Sequence, residues 1–309
     1  MKIIDIHQTH TLPLLPAASA VVCMGQRLFL IGDSSQYLHL IDEQGQSHRF
    51  PLLPGAHPAQ EPLSKQQKAD FEGLLLDATS EALLVLPSGS EANRLRGMRV
   101  CLPAVTDDEP APGMSAEPVD FAPLFGRVMN YARIDEADVN IEGGGSWGAQ
   151  RWFLLNRGNG PQARNLIVIL EGRDLPDSLP VAQYPLELPV LEDGAGGKGV
   201  LASLTDGCIV GDSLYVVAAA EAGASTYHDG EVRGSLIARY DLTHFALQAW
   251  CLLPGTMKFE GISLRAVSAD GSRITLVLCA DNDDPTQAGA VYQVALEVRA
   301  TAPAAFRPA

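Results

Sequence analysis

Four acidic residues of this 309-residue chain stand in nearly the same short context. Asp70-Phe71-Glu72-Gly73, Asn140-Ile141-Glu142-Gly143 and Lys258-Phe259-Glu260-Gly261 share an apolar-Glu-Gly core, and Leu204-Thr205-Asp206-Gly207 repeats it with Asp. If the repeats are arranged about one axis, Glu72, Glu142, Asp206 and Glu260 converge as a ring of carboxylates. Such a ring repels itself unless a cation or a basic side chain compensates. Calcium takes six to eight hard oxygen ligands, so it is the ion this set would hold. Lys68 and Lys258, four and two residues ahead of their glutamates, offer another solution. They could pair with the acids without metal, each Glu-Gly fastening its repeat to the next through backbone amides. Both readings stay open at this stage.

A second set follows each acid. The apolar run after it ends in Asp33, Ser88, Asn156, Glu221 or Asp281, the last heading the acidic stretch Asp281-Asn282-Asp283-Asp284. Asp33, Asn156, Glu221 and Asp281 are expected at the opposite mouth of the channel from the glutamates. Arg94, Arg96, Arg157 and Arg164 could meet anionic groups such as phosphates, or could be solvated strand ends. Other matches fail on context. Gly144-Gly145-Ser146-Trp147-Gly148 fits GxSxG, but a nucleophile elbow needs a helix after the serine and a strand follows here. Gly194-Ala195-Gly196-Gly197-Lys198-Gly199 lacks the Ser or Thr of a phosphate loop.

The elements that must carry these residues read as a repeat of short strands. Ser19, Glu72, Glu142, Asp206 and Glu260 recur at intervals of 53, 70, 64 and 54 residues. Each is followed by an apolar strand and, in most units, a third strand. That spacing suits four-stranded propeller blades of ~40–50 residues with connecting loops. The expectation is an all-β chain forming a single closed β-propeller over residues 1–309, with five blades. A sixth, degenerate blade within 170–191 is the alternative. Ile3–Thr11 is the candidate outer strand closing the last blade, which removes the exposed edge of an open ring. Phe121–Ala132 reads as a short covering helix, and 55–68 and 107–118 as surface loops.

Composition limits the partners. Thirty-seven acidic against 22 basic residues leave a formal charge of −15, which repels nucleic acid and anionic membrane surfaces. No run of ~18 apolar residues offers a membrane span. Five scattered cysteines without a CxxC pair read as reduced thiols, so a cytoplasmic location is expected. A closed ring needs no second copy, so a monomer is expected.

The Asp70–Leu74, Asn140–Gly143 and Phe259–Ile262 motifs, with Val119-Asp120-Phe121-Ala122-Pro123-Leu124, resemble the phytase-like propellers known as esterase-like or SdiA-regulated, and related propellers of unknown function. The resemblance implies a ring of Glu-Gly inner strands and, in some members, bound calcium. The expectation is therefore a calcium-assisted hydrolase of esters or phosphoesters at the channel. The alternative is a non-catalytic propeller that binds a small ligand or partner protein.

Overall fold

The computed structural model describes residues 1–77, 79, 81–102, 113–192, 199–222, 231–282, 284 and 286–298. The β-branched and leucine-rich runs form five four-stranded antiparallel sheets. Blade 1 comprises β2 (Ala20–Met24), β3 (Arg27–Ile31), β4 (Tyr37–Ile41) and β5 (Ser47–Pro51). Blade 2 comprises β6 (Phe71–Asp77), β7 (Ala82–Pro87), β8 (Arg96–Cys101) and β9 (Ser115–Asp120). In blade 3, β10 (Ile141–Ser146), β11 (Arg151–Asn156), β12 (Leu166–Glu171) and β13 (Leu179–Pro185) lie in that order. A two-stranded hairpin, β14 (Val190–Leu191) and β15 (Val200–Leu201), leads into blade 4. That blade is β16 (Ser203–Val210), β17 (Ser213–Ala222), β18 (Glu231–Asp241) and β19 (Leu247–Leu252). Blade 5 takes β20 (Lys258–Val267), β21 (Arg273–Asp281) and β22 (Gly289–Glu297), and completes itself with β1 (Lys2–Leu12) from the other end of the chain.

The ring is closed by packing as well as by pairing. The inner strands β2, β6, β10, β16 and β20 each touch the next, and β20 touches β2. One apolar cluster fills each of the five seams between blades. The seam between blades 2 and 3 also receives α1 (Ala122–Ala132). Pro123 opens that helix, and Leu124, Phe125, Val128 and Ala132 form its buried stripe. Gly89, at φ +74°, lies beneath it; a Cβ there would stand 2.7 Å from the Phe125 ring.

Two expectations are revised. Residues 170–191 carry the outer strand of blade 3 and the first arm of the hairpin, so five blades form the ring and no sixth. The surface-loop reading of 107–118 fails for 115–118, which begin the outer strand of blade 2; 107–112 lie outside the described residues. Lys2–Leu12 pairs with β22 from Lys2↔Glu297 to Leu12↔Gly289, the expected closure extended by a residue at each end.

Candidate functional site

The three glutamates share a backbone device. In β6, β10 and β20 the antiparallel register shifts between Phe71 and Gly73, between Ile141 and Gly143, and between Phe259 and Gly261. Glu72, Glu142 and Glu260 are thus the extra residues of β-bulges, re-aimed out of the ladder toward the channel. Ligand oxygens of all three lie within 4.8 Å of one another. A second group, Asp33, Asp70 and Glu72, meets the same distance.

Asp206 does not join them. In β16 the shift falls between Leu204 and Asp206, so Thr205 is the bulged residue and Asp206 occupies the position that glycine holds in the other blades. A displacement of one residue turns a side chain to the other face. The Asp206 carboxylate accepts backbone N–H groups from Gly207 at 2.7 Å and Ile262 at 3.0 Å, and from Gly144. It staples blade 4 to blades 3 and 5. Its oxygen passes over Gly143, where a Cβ would stand 2.2 Å away. Thr205 donates its hydroxyl to the carbonyl of Phe259 at 2.9 Å.

The second set is also moved. Antiparallel pairing puts the end of a second strand beside the start of the first, as in Lys258↔Asp281 and Ile141↔Asn156. Asp33, Asn156, Glu221 and Asp281 therefore lie at the same mouth as the glutamates, not the opposite one. Asp33 and Asp281 line its cavity with Glu72, Glu142 and Glu260. Glu221 accepts from Arg157 at 2.7 Å. Asn156 stays behind the lining, its amide oxygen accepting the N–H of Asn140 at 3.0 Å.

Cationic side chains interleave with the acids. Lys68, on the segment joining blades 1 and 2, contacts Asp33 and lies 2.6 Å from Asp70. Arg94 donates to Asp70 at 2.9 Å, and Ser88 donates to the same oxygen at 2.5 Å. Arg157 lies 3.4 Å from Glu142 and donates to Ser203 at 3.0 Å. Lys258 lies 2.9 Å from Glu260, 3.6 Å from Glu221 and 3.8 Å from Asp281. Arg94 is a candidate for meeting an anionic group, but its pairing with Asp70 escapes the motif search. The signals of that pair are Asp70 at φ 58°, an unusual αL residue just before the strand, and an arginine just ahead of β8 that is 3% exposed. Arg96 is exposed, and Arg164 caps α1 through the carbonyls of Arg133 and Ala132. Asp283 and the 193–198 part of the glycine-rich stretch lie outside the described residues.

Burial governs the ionisation of this mouth. It pushes the Glu72 carboxyl well above the usual range, aided by Glu142, Asp70 and Asp33. Burial also raises Glu142, to about 8, against the pull of Arg157 and with the push of Glu260. Asp206 is raised by burial too, the three amides opposing. For Lys258 burial acts downward, but Glu260, Asp281 and Glu221 outweigh it and its pKa is raised. The cavity encloses about 60 Å³, room for an ion and a few waters.

Fold and site together define a five-bladed β-propeller with a buried acid–base network plugging one mouth of its channel. The chain belongs to a family of unknown function, DUF6929, whose model matches residues 14–296. No curated protein matches the sequence. Among solved structures, a glutaminyl cyclase from Myxococcus xanthus is similar at TM-score 0.47 and 12% identity, over 95% of this chain and 97% of that one. An α-L-arabinofuranosidase from Podospora anserina is similar at TM-score 0.45 and 10% identity, over 91% of each. The tail fibre of Staphylococcus aureus phage P68 is similar at TM-score 0.44 and 12% identity. That match covers 94% of this chain and 52% of the fibre, so the chain spans about half the fibre's length. No helix of the described residues is long and apolar enough to cross a membrane.

Proposed function

We propose that the acidic mouth binds a divalent cation, calcium by the hardness of its donors, and serves the hydrolysis of an ester or phosphoester. The observation that carries this reading is the approach of Glu72, Glu142 and Glu260 to within 4.8 Å of one another. The donor set fits the ion, for it consists of carboxylate oxygens alone. Asp33 Oδ1, buried at the same mouth, accepts no hydrogen bond among the described residues.

Glu72, Glu142 and Glu260 would hold the ion, with Asp33 and Asp70 beside Glu72. Calcium, when bound, supplies Lewis acidity toward a carbonyl or phosphoryl oxygen. Without the ion, burial raises the Glu142 carboxyl to about 8, so taking up calcium near neutral pH would release its proton. Asn140 donates to Glu142 Oε1 at 2.6 Å and, with Arg157, fixes its orientation. A second reading is a non-catalytic module that binds a small ligand. It is favoured by the pairing of Glu142 with Arg157 and of Glu260 with Lys258, which settles those charges without metal.

Thermal melts in calcium and in chelator decide between them, run beside a panel of esters, lactones and phosphoesters. Calcium at one hundred times its Kd adds about 2.7 kcal/mol of stability. The calcium shift should disappear in Glu72→Gln and Glu142→Gln. A melting temperature indifferent to calcium and chelator would overturn the cation reading, and turnover unaffected by chelator would overturn its catalytic part.

A further inference from the structure

The mouth has a neighbouring cavity on its blade 1 side. This second cavity has a volume of about 220 Å³, and Asp33, Lys65, Lys68 and Asp281 line both. The rest of this second space is lined by Pro16, Ala17, Pro62 and Leu63, with Ser34 and Asp284 beside them. None of the described residues lining either cavity is aromatic. The walls are set before any ligand arrives. The Leu63 N–H donates to Ser34 O at 2.9 Å and the Asp70 N–H to Asp33 O at 3.2 Å, which ties the 63–70 segment to blade 1. Ala17 is held against Asp281 by an isolated antiparallel bridge.

A small ionic pocket leading into a larger one with an aliphatic patch, across a junction lined by two lysines and two aspartates, describes a particular kind of ligand. We infer that the second cavity holds the hydrocarbon part of a small amphiphile. Its polar head, an ester or phosphate group, reaches the acidic mouth. Sugar rings and nucleobases prefer aromatic platforms, and neither cavity supplies one. A flexible alkyl or acyl chain needs only apolar contact, which the proline, alanine and leucine wall provides. The inference rests on the cation reading for the sign of the head group alone. Without the ion, the cationic groups of the mouth are engaged by its own acids (Lys68 by Asp33, Arg94 by Asp70, Arg157 by Glu142, Lys258 by Glu260), which leaves little positive charge for an anion. With the ion, an anionic head is welcome.

Two homologous series test both parts separately: n-alkyl phosphates and n-alkylammonium ions, two to ten carbons long, titrated calorimetrically with calcium and with chelator. In calcium, the alkyl phosphates should bind two- to four-fold more tightly per added methylene, then reach a plateau once the cavity is full. Leu63→Trp, which occupies the cavity, should flatten that slope and leave the calcium shift of the melt in place. Ala17→Phe serves the same purpose from the facing wall should the first variant fold poorly. If calcium has no effect but the alkylammonium series shows the slope, the aliphatic cavity stands and the cation reading falls. Affinity independent of chain length in both series overturns the inference, whatever calcium does.

Discussion

Arg157 is 5% exposed and is held between Glu142 and Glu221, with Ser203 below. Arg157→Met keeps much of the side-chain volume and removes the charge, leaving two buried carboxylates facing each other. Stripping one partner from a buried ion pair costs about 3–5 kcal/mol. Unfolding entropy near 2.1 cal/mol/K per residue amounts to about 0.65 kcal/mol/K over 309 residues, so each kcal/mol lowers the melting temperature by about 1.5 °C. The expected loss is therefore about 5–8 °C at pH 9. The size of the loss should depend on pH, with a definite sign. Glu142 titrates at about 8 when folded against an ordinary 4.5, so the folded chain holds an extra proton between those values. The stability linked to that proton is complete below 4.5 and is lost as pH rises through 8. Removing Arg157 takes away a group that opposes the rise, so the variant's carboxyl keeps its proton to higher pH and the gap between variant and wild type should widen as pH rises through 8, from pH 7 to pH 9. Saturating calcium should narrow it again. Scanning calorimetry at both pH values, with and without calcium, gives all four numbers. A loss below about 1.5 °C at pH 9, or one identical at pH 7 and pH 9, would refute the electrostatic account of the mouth.

Other outcomes follow from geometry alone. Gly143→Ala places a methyl 2.2 Å from Asp206 Oδ1 and 2.9 Å from its Cα, so the staple must lift off its amides. A loss of about 3–5 kcal/mol, near 5–8 °C in a thermal melt, is expected. Gly126→Ala in α1 meets nothing within 4 Å and should raise stability by up to ~1 kcal/mol. Equal effects from the two alanines would contradict this packing. Deleting residues 2–12 removes the outer strand of blade 5 with the half-buried Ile3 and Ile6 and the buried Leu12. A cost of roughly 4–6 kcal/mol and concentration-dependent association through the bared β22 edge are expected. Size-exclusion chromatography and melting together check it; an unchanged melt of a monodisperse protein would refute it.

The phase of the blades is legible in the sequence because one backbone requirement, a bulge at the channel, recurs as Glu-Gly in blades 2, 3 and 5. The same pattern misleads in blade 4. Thr205-Asp206-Gly207 looks like an in-phase copy with Asp for Glu, and only the register shows that Thr205 takes the glutamate's place. The chemical type of Asp206 is visible in one dimension, but its facing is not. The placement of Asp33, Asn156, Glu221 and Asp281 is a matter of direction: antiparallel neighbours bring strand end to strand start, so both sets share one mouth. Arg94 is a candidate for meeting an anion, but that Asp70 is its partner is hidden for another reason. Their pairing joins positions 24 residues apart across β6 and β7, and no spacing rule announces it.

Closure by Lys2–Leu12 has a consequence for the order in which the molecule can be made. Its partner, Gly289–Glu297, is translated last among the described strands. At ~5–20 residues per second, the first strand waits roughly 15 to 55 s for the ladder that will hold it. Through that interval the β-rich stretch Ile3-Ile4-Asp5-Ile6 has no sheet to join, and the four completed sheets form an arc with an open side. The acidic mouth is assembled in the same last step, since Lys258, Glu260 and Asp281 belong to the closing blade. A nascent chain therefore has no complete site until blade 5 has docked between blades 4 and 1, and any ligand of the mouth can recognise finished rings only.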